Sequence, residues 1–321
     1  MLHFLFHRLW QSALVLVVMS FVIYALIGLM PGDPIDLMIT ADPKVTPEDA
    51  ARLRELYGLD QPILERYGHW LTAALGGDFG FSRLHARPVM EVLVPAIGNT
   101  VTLLGLSFGL ALAIALPAGI AAAYKPYSKL DYAINMAAFS GISVPPFWLA
   151  LMLIIVFAVI LGVLPAGGLG KIGTEGIWDS GRYLVLPVAS LTIASIGGHT
   201  RYMRAAMIET LRQDYIRTAR ATGASEARVL FGHALRNAMI PVVTIIALDF
   251  GYLFSGALIT ETIFAWPGMG RLIFDAIMGN DFNLALIALL LATVLTLIGN
   301  FLADVAYVWL DPRVSFREVS Q

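Results

Sequence analysis

The sequence predicts an all-α, polytopic membrane protein with about six transmembrane helices, and three observations carry that prediction. Hydrophobic residues make up 58 % of the 321-residue chain and charged residues only 14 %, well below the ~25 % typical of soluble domains. Mean hydropathy is +0.76. The charges are also gathered into a few segments, leaving charge-poor intervals of the ~20 residues that a bilayer crossing requires. In lipid the backbone must satisfy its own hydrogen bonds, so such intervals are helices.

The first interval is Leu9–Leu29. It is longer than a signal-peptide core and has no small-x-small cleavage site, so it reads as a retained anchor. The second lies within 92–124, between Glu91 and Lys125. A third falls in 132–170, where Pro145-Pro146 marks a helix start or a break. The fourth is 183–200. Asn237 to Thr260 forms the fifth, interrupted by Asp249, and 282–303 the sixth. Three regions follow: 1–98, the first helix and a long outer loop; 99–310, the membrane core with an inner loop at 201–240; and 311–321, a C-terminal tail.

Lys and Arg set the orientation. With the N-terminus inside, the inner segments hold Arg8, Lys125, Lys129, the arginines from Arg201 to Arg236, Arg313 and Arg317, and the short outer loops only Lys171, Arg182 and Arg271. Both termini are then expected in the cytoplasm. In the outer loop, Thr46-Pro47-Glu48-Asp49 has the form of a helix start. Pro62 opens a second helix, with Ile63, Tyr67, Trp70, Leu71 and Ala74 on one face.

Residues 214–237, DYIRTARATGASEARVLFGHALRN, are too long for a simple helix connection. Ile216, Ala219, Val229, Leu230 and Leu235 give this stretch an apolar side. Gly223-Ala224-Ser225 supplies a turn between two helices. A helix pair of this kind, displaying Arg217, Arg220 and Arg228, suits docking to a soluble partner.

The same stretch resembles the cytoplasmic loop of ABC-importer permeases, written E-A-A-x-x-x-G followed by I-x-L-P. Gly223 matches the motif glycine, Ala219 the second alanine and Leu235 the leucine. Arg217, Thr218, His233 and Arg236 replace the glutamate, the first alanine, the isoleucine and the proline. These departures fit the peptide branch, whose usual form is DYIRTARAxG and HALRNAxxP. Pro31-Gly32-Asp33-Pro34 after the first span, Thr260-Glu261-Thr262-Ile263-Phe264-Ala265-Trp266-Pro267-Gly268-Met269-Gly270-Arg271 after the fifth, and Asp311-Pro312-Arg313 near the end are similar to the dipeptide/oligopeptide/nickel permease family.

The resemblance implies a type I ABC importer permease fold and an inner-membrane assembly. Its expected partners are a second, non-identical permease, two cytoplasmic ATPases, an extracytoplasmic substrate-binding protein and membrane lipid, with no nucleic acid. ATP and Mg would be bound by the ATPases, and this chain would carry no cofactor and no catalytic residue. Its coupling loop would use Arg217, Ala219, Arg220, Ala221, Gly223, Arg228 and Leu235, with Ala219 and Ala221 allowing close approach to an ATPase and the arginines pairing with acids on its rim. The cargo would be di- or oligopeptides; the same machinery serving nickel chelates, opines or sugars is an alternative, and an ion-coupled secondary transporter is a further one.

The residues agree on the absence of enzymatic motifs. The nearest string to a phosphate-binding loop, Gly168-Leu169-Gly170-Lys171-Ile172, lacks the first glycine and the hydroxyl. No H-E-x-x-H and no serine nucleophile motif occurs. Among six histidines only His3 and His7 have ligand spacing, and no metal site is expected. The chain has no cysteine. Candidate pathway or gate residues are Asp249, an acid inside a span; Glu261 and Arg271, flanking the bend Trp266-Pro267-Gly268 with Trp266 as an interfacial aromatic; and Pro145 and Pro146, whose break frees backbone carbonyls.

Overall fold

The computed structural model describes residues 2–29, 48, 52, 61–170 and 177–310. The motif Pro31–Pro34, the helix start at Thr46–Asp49 apart from Glu48, Lys171-Ile172 and the tail 311–321 lie outside them.

Within these residues the regular structure is helical except for one short hairpin. The elements are α1 (Leu2–Gly28), α2 (Ile63–Leu75), β1 (Phe81–Ser82), β2 (Arg87–Pro88), α3 (Val89–Tyr124), α4 (Lys129–Ser143), α5 (Pro146–Leu153), α6 (Ile177–Leu211), α7 (Asp214–Ala221), α8 (Leu235–Ile263), α9 (Met269–Met278) and α10 (Phe282–Leu310). Two π-helical stretches, Ile154–Ile160 and Arg228–Ala234, extend α5 and lead into α8. Five helical spans are long and apolar enough to cross a membrane, and the pair α4–α5 with its π extension makes a sixth if taken as one crossing. At 36 residues α3 is about 54 Å long at 1.5 Å per residue, so it outruns a hydrocarbon core of about 30 Å.

The expected break at Pro145-Pro146 is a bend of 98°. Val144 and Pro145 are extended, and Pro146 occupies the first turn of α5, where its missing N–H costs nothing. Neither limb alone matches the usual length of a spanning helix.

The chain divides into two compact units, Met1–Gly98 with Gly268–Leu295, and Asn99–Pro267 with Thr296–Gln321. In the first, α2 lies against α1 through the aromatic side of its predicted face. Tyr67 meets Phe21 and Tyr24 edge-on, and its hydroxyl is 2.7 Å from Ser20 Oγ. Trp70 stacks on Tyr67 and leans on Tyr24. Ile63, from the same predicted face, is exposed.

Asp281 is the polar centre of this unit. Its Oδ1 accepts from the Leu284 N–H, capping α10. Its Oδ2 accepts from Ser82 Oγ (2.6 Å) and the Leu84 N–H (3.0 Å) of the hairpin. The Asp281 N–H closes the end of α9 on the Ala276 carbonyl, and Arg83 donates to the Gly279 carbonyl next to it. One buried carboxylate therefore fixes a hairpin, a helix end and a helix start. Asp281→Ala should cost about 2 kcal/mol, the cap plus a stranded hydroxyl. A fall in the thermal midpoint of the purified protein, together with faster cleavage by trypsin after Arg83, checks this.

In the second unit α6 runs against α4 and α8. Glycines allow the closest approaches, as membrane helices require. A Cβ on Gly197 would lie 2.3 Å from the Ala138 carbonyl oxygen, and one on Gly119 would lie 2.7 Å from the Thr200 carbonyl oxygen and the Met203 side chain. At the Leu211 end of α6 the core comprises Ala123, Met203, Ala206, Met207, Ile216, Val229, Ala234, Ala238 and Val242.

A second buried acid sits in this unit. Asp131, in the first turn of α4, takes a two-pronged contact from Arg204 of α6, Nε to Oδ1 and Nη2 to Oδ2, both 2.6 Å. The Tyr127 N–H (2.8 Å) and Asn135 also donate to it. With the side chain only 3 % exposed, these contacts supply the compensation that a buried charge requires.

Candidate functional site

Residues 214–237 fold as the expected helix pair. α7 ends in a Schellman motif: the Gly223 N–H bonds to the Arg220 carbonyl and the Ala224 N–H to the Ala219 carbonyl. Gly223 has φ +85, the left-handed region, and nothing lies within 4 Å of where a Cβ would stand. The glycine is therefore required by the backbone, and its outer side is open. Ser225 caps the following helix through the Arg228 N–H.

The apolar residues of the pair face inward. Ile216 and Val229 are fully buried, and Ala219, Leu230 and Leu235 pack on the same cluster with Met203, Met207, Ala238 and Val242. Arg217, Arg220, Ala221, Gly223 and Arg228 stay exposed. Two expectations change. Ala219 is turned toward the chain's own core, so of the two alanines Ala221 alone, with Gly223, presents a small outer surface. Arg220 does not stand free for a partner: its guanidinium forms a fork with Glu226 (3.0 and 3.2 Å) that bridges the Gly223 turn. Arg217 makes only an exposed contact with Asp214, 3.4 Å away, worth little energetically. Asn237 Nδ2 donates to the Tyr215 hydroxyl and ties α7 to the start of α8.

The second place is a cavity of about 460 Å³ within the membrane part of the same unit. α3 contributes Ser107 and Phe108, α6 contributes Ser195, His199, Arg201 and Tyr202, and α8 contributes Asp249. His199 is buried, with Nε2 3.7 Å from Asp249 Oδ2 and its ring edge-on to Phe108. Sequence reasoning singled out Asp249 and passed over His199, having weighed the histidines only for metal spacing. The signal was present, because His199 lies inside a charge-free span, where a titratable group is a functional candidate.

The third place is the bend after α8. Glu261 is fully buried and accepts from Thr100 Oγ1 at 2.6 Å. Trp266 is only 3 % exposed and is not an interfacial aromatic; its Nε1 donates to the Asn99 carbonyl, and Asn99 Nδ2 donates to the Pro267 carbonyl. The helix ends in another Schellman motif, with Ala265 at φ +50 in the left-handed position and the Trp266 N–H on the Glu261 carbonyl. Gly167 packs flat on the Phe264 carbonyl, where no Cβ would fit. The sequence thus encodes a tightly bonded corner here. Gly268 then opens α9, on which Arg271 reaches Asp275 at 3.4 Å.

Comparison with known proteins fits this architecture. Residues 115–316 match the family described as binding-protein-dependent transport system inner membrane component, and residues 1–103 match the N-terminal part described for the same kind of membrane component. The chain belongs to that family and is a multi-pass membrane protein of the permease class. It is 39 % identical over 315 residues to the oligopeptide transport system permease protein AppB of Bacillus subtilis, covering 98 % of this chain and 99 % of the relative. It is 36 % identical to the dipeptide transport system permease protein DppB of Alkalihalophilus pseudofirmus, covering 98 % and 100 %. Among solved structures, an inward-facing form of the MetNI methionine ABC transporter aligns with a TM-score of 0.58 at 19 % identity, over 70 % of this chain and 98 % of that one. A crystal structure of an amino acid ABC transporter with histidines aligns with a TM-score of 0.52 at 13 % identity, over 68 % and 94 %. Both likenesses concern the fold.

Proposed function

We propose that this chain is one of two membrane subunits of an importer for di- or oligopeptides, driven by cytoplasmic ATPases and supplied by an extracytoplasmic binding protein. Both termini lie in the cytoplasm, and the 214–237 helix pair sits in a groove on an ATPase. The second permease is a non-identical homologue, and ATP and Mg stay with the ATPases. The names of the relatives support the peptide cargo.

One observation carries the coupling role. The helix pair sinks its apolar face into the ends of α6 and α8 and presents its arginines, Ala221 and Gly223 outward. A push on the outer face is therefore transmitted to two spans at once. The Schellman turn, the Arg220–Glu226 fork and the Tyr215–Asn237 bond stiffen the pair, so it moves as a body and tilts the spans it joins, an alternating-access device. Asp249, the Pro145-Pro146 break and the bonded corner at Glu261, Trp266, Pro267 and Gly268, with Arg271 just beyond, are the elements assigned to the pathway and its gate.

Gentle purification of the tagged chain from its native membrane tests the reading. A second permease and two ATPases should co-elute, and the soluble receptor found with them should bind peptides. Because the chain has no cysteine, Arg217→Cys gives a single labelling site, expected to react only from the cytoplasmic side. Labelling from the outside, or uptake by the lone chain in vesicles, would overturn the assignment.

A further inference from the structure

The Asp249 carboxylate is poorly compensated for its position. It interrupts an otherwise uncharged interval, yet nearly half of the side chain is exposed to the cavity. Among the described residues its ion-pair contact is His199 at 3.7 Å, longer than a hydrogen bond. Asp131 makes the opposite case in the same unit, since its carboxylate is filled by protein donors. A membrane acid left partly unfilled beside a cavity has room for a cation from outside the chain.

The chemistry of that cation can be narrowed. Among the described residues no group of three or more His, Asp or Glu could hold a metal ion, and a hard cation such as Ca²⁺ takes six or more oxygen ligands. An ammonium group has three N–H donors and needs only about three acceptors. The lining of the cavity includes the Asp249 carboxylate and the hydroxyl residues Ser107, Ser195 and Tyr202. Ser107 donates its own proton to the Leu103 carbonyl, which leaves its lone pairs free. Arg201 lines the same cavity, its guanidinium 5.7 Å over the Phe139 ring, and supplies the charge that a carboxylate end would meet.

We propose that this cavity is a cargo subsite inside the membrane unit, with Asp249 receiving the ammonium group of a short zwitterion and Arg201 facing its carboxylate end. The inference rests on the peptide-importer reading above and adds a second point of selection, beyond the binding protein.

The test uses the complete transporter in proteoliposomes with its binding protein and radiolabelled trialanine. Asp249→Asn is expected to lower peptide uptake about tenfold, the loss of one charge-assisted hydrogen bond. Uptake should fall further than ATPase stimulation by the loaded binding protein, because the bond is made to cargo. Asp249→Glu, which keeps the charge, should recover most of the uptake. Peptide moved per ATP consumed is the deciding ratio. An unchanged ratio in Asp249→Asn overturns the subsite, whether uptake stays normal or falls together with ATPase stimulation. If Asp249→Asn does not assemble, Asp249→Gln against Asp249→Glu makes the same comparison. Failure of the wild-type complex to move trialanine or any other peptide strikes the peptide reading instead, so the two failures are distinguishable.

Discussion

Asp131→Ala is expected to destabilise the protein by on the order of 3 kcal/mol, because it leaves Arg204 charged and unpaired beneath the turn that joins α3 and α4. The low end of the range for breaking a buried pair applies, since the Arg204 side chain is still 22 % exposed and water can partly replace the lost carboxylate. The Tyr127 N–H and Asn135 lose an acceptor as well. The check is the unfolding midpoint of the detergent-purified chain. The double variant Asp131→Ala/Arg204→Met should be more stable than the single one, because the orphaned charge is then gone. Equal midpoints for the wild type and Asp131→Ala would show that the pair contributes nothing to holding α4 on α6.

Gly223→Asp is expected to abolish transport, by about 100-fold or more, while leaving the chain in the membrane at its normal level. Two effects act together. A residue with a Cβ at φ +85 carries strain of about 1–2 kcal/mol, which the buried contacts of Ile216 and Val229 can sustain. The larger effect lies outside the chain. The turn is open, so a charged side chain would project from the surface assigned to the ATPase groove, and a buried unpaired charge at an interface centre costs several kcal/mol. Gly223→Asn separates the two, because asparagine meets the same backbone cost as aspartate in the left-handed region and adds similar bulk without charge. Its uptake should fall between wild type and Gly223→Asp at unchanged membrane level. Normal uptake by Gly223→Asp would refute the coupling role.

How much of this was legible in the sequence depended on the range of the signal. The helix pair was readable because its pattern is local: an apolar side at helical spacing, a glycine where the chain must turn left-handed, and a serine cap. The Pro145-Pro146 break was readable because proline acts on its own backbone. The ion pair of Asp131 with Arg204 was not, since its members are 73 positions apart and nothing local distinguishes Arg204 from the arginines that follow it. In sequence Asp281 merely precedes the last charge-free interval; its bonds to Ser82 and Leu84 cross about 200 positions. Trp266 was misplaced for a related reason. Beside Pro and Gly it looks like a surface bend, and only the fold brings the Asn99 carbonyl to its ring nitrogen.

The π-helical stretch Arg228–Ala234 has a consequence for how this chain can tolerate change in length. A π-helical segment accommodates a surplus residue within a continuous helix. Deleting one residue there would let the segment wind as ordinary α-helix while the helix beyond it keeps nearly its orientation. A residue added and taken up as plain α-helix would instead turn everything after it by about 100°, swinging Asp249 away from His199 and Glu261 away from Thr100 although neither had been altered. The fifth crossing therefore tolerates the loss of one codon at 228–234 better than the gain of one.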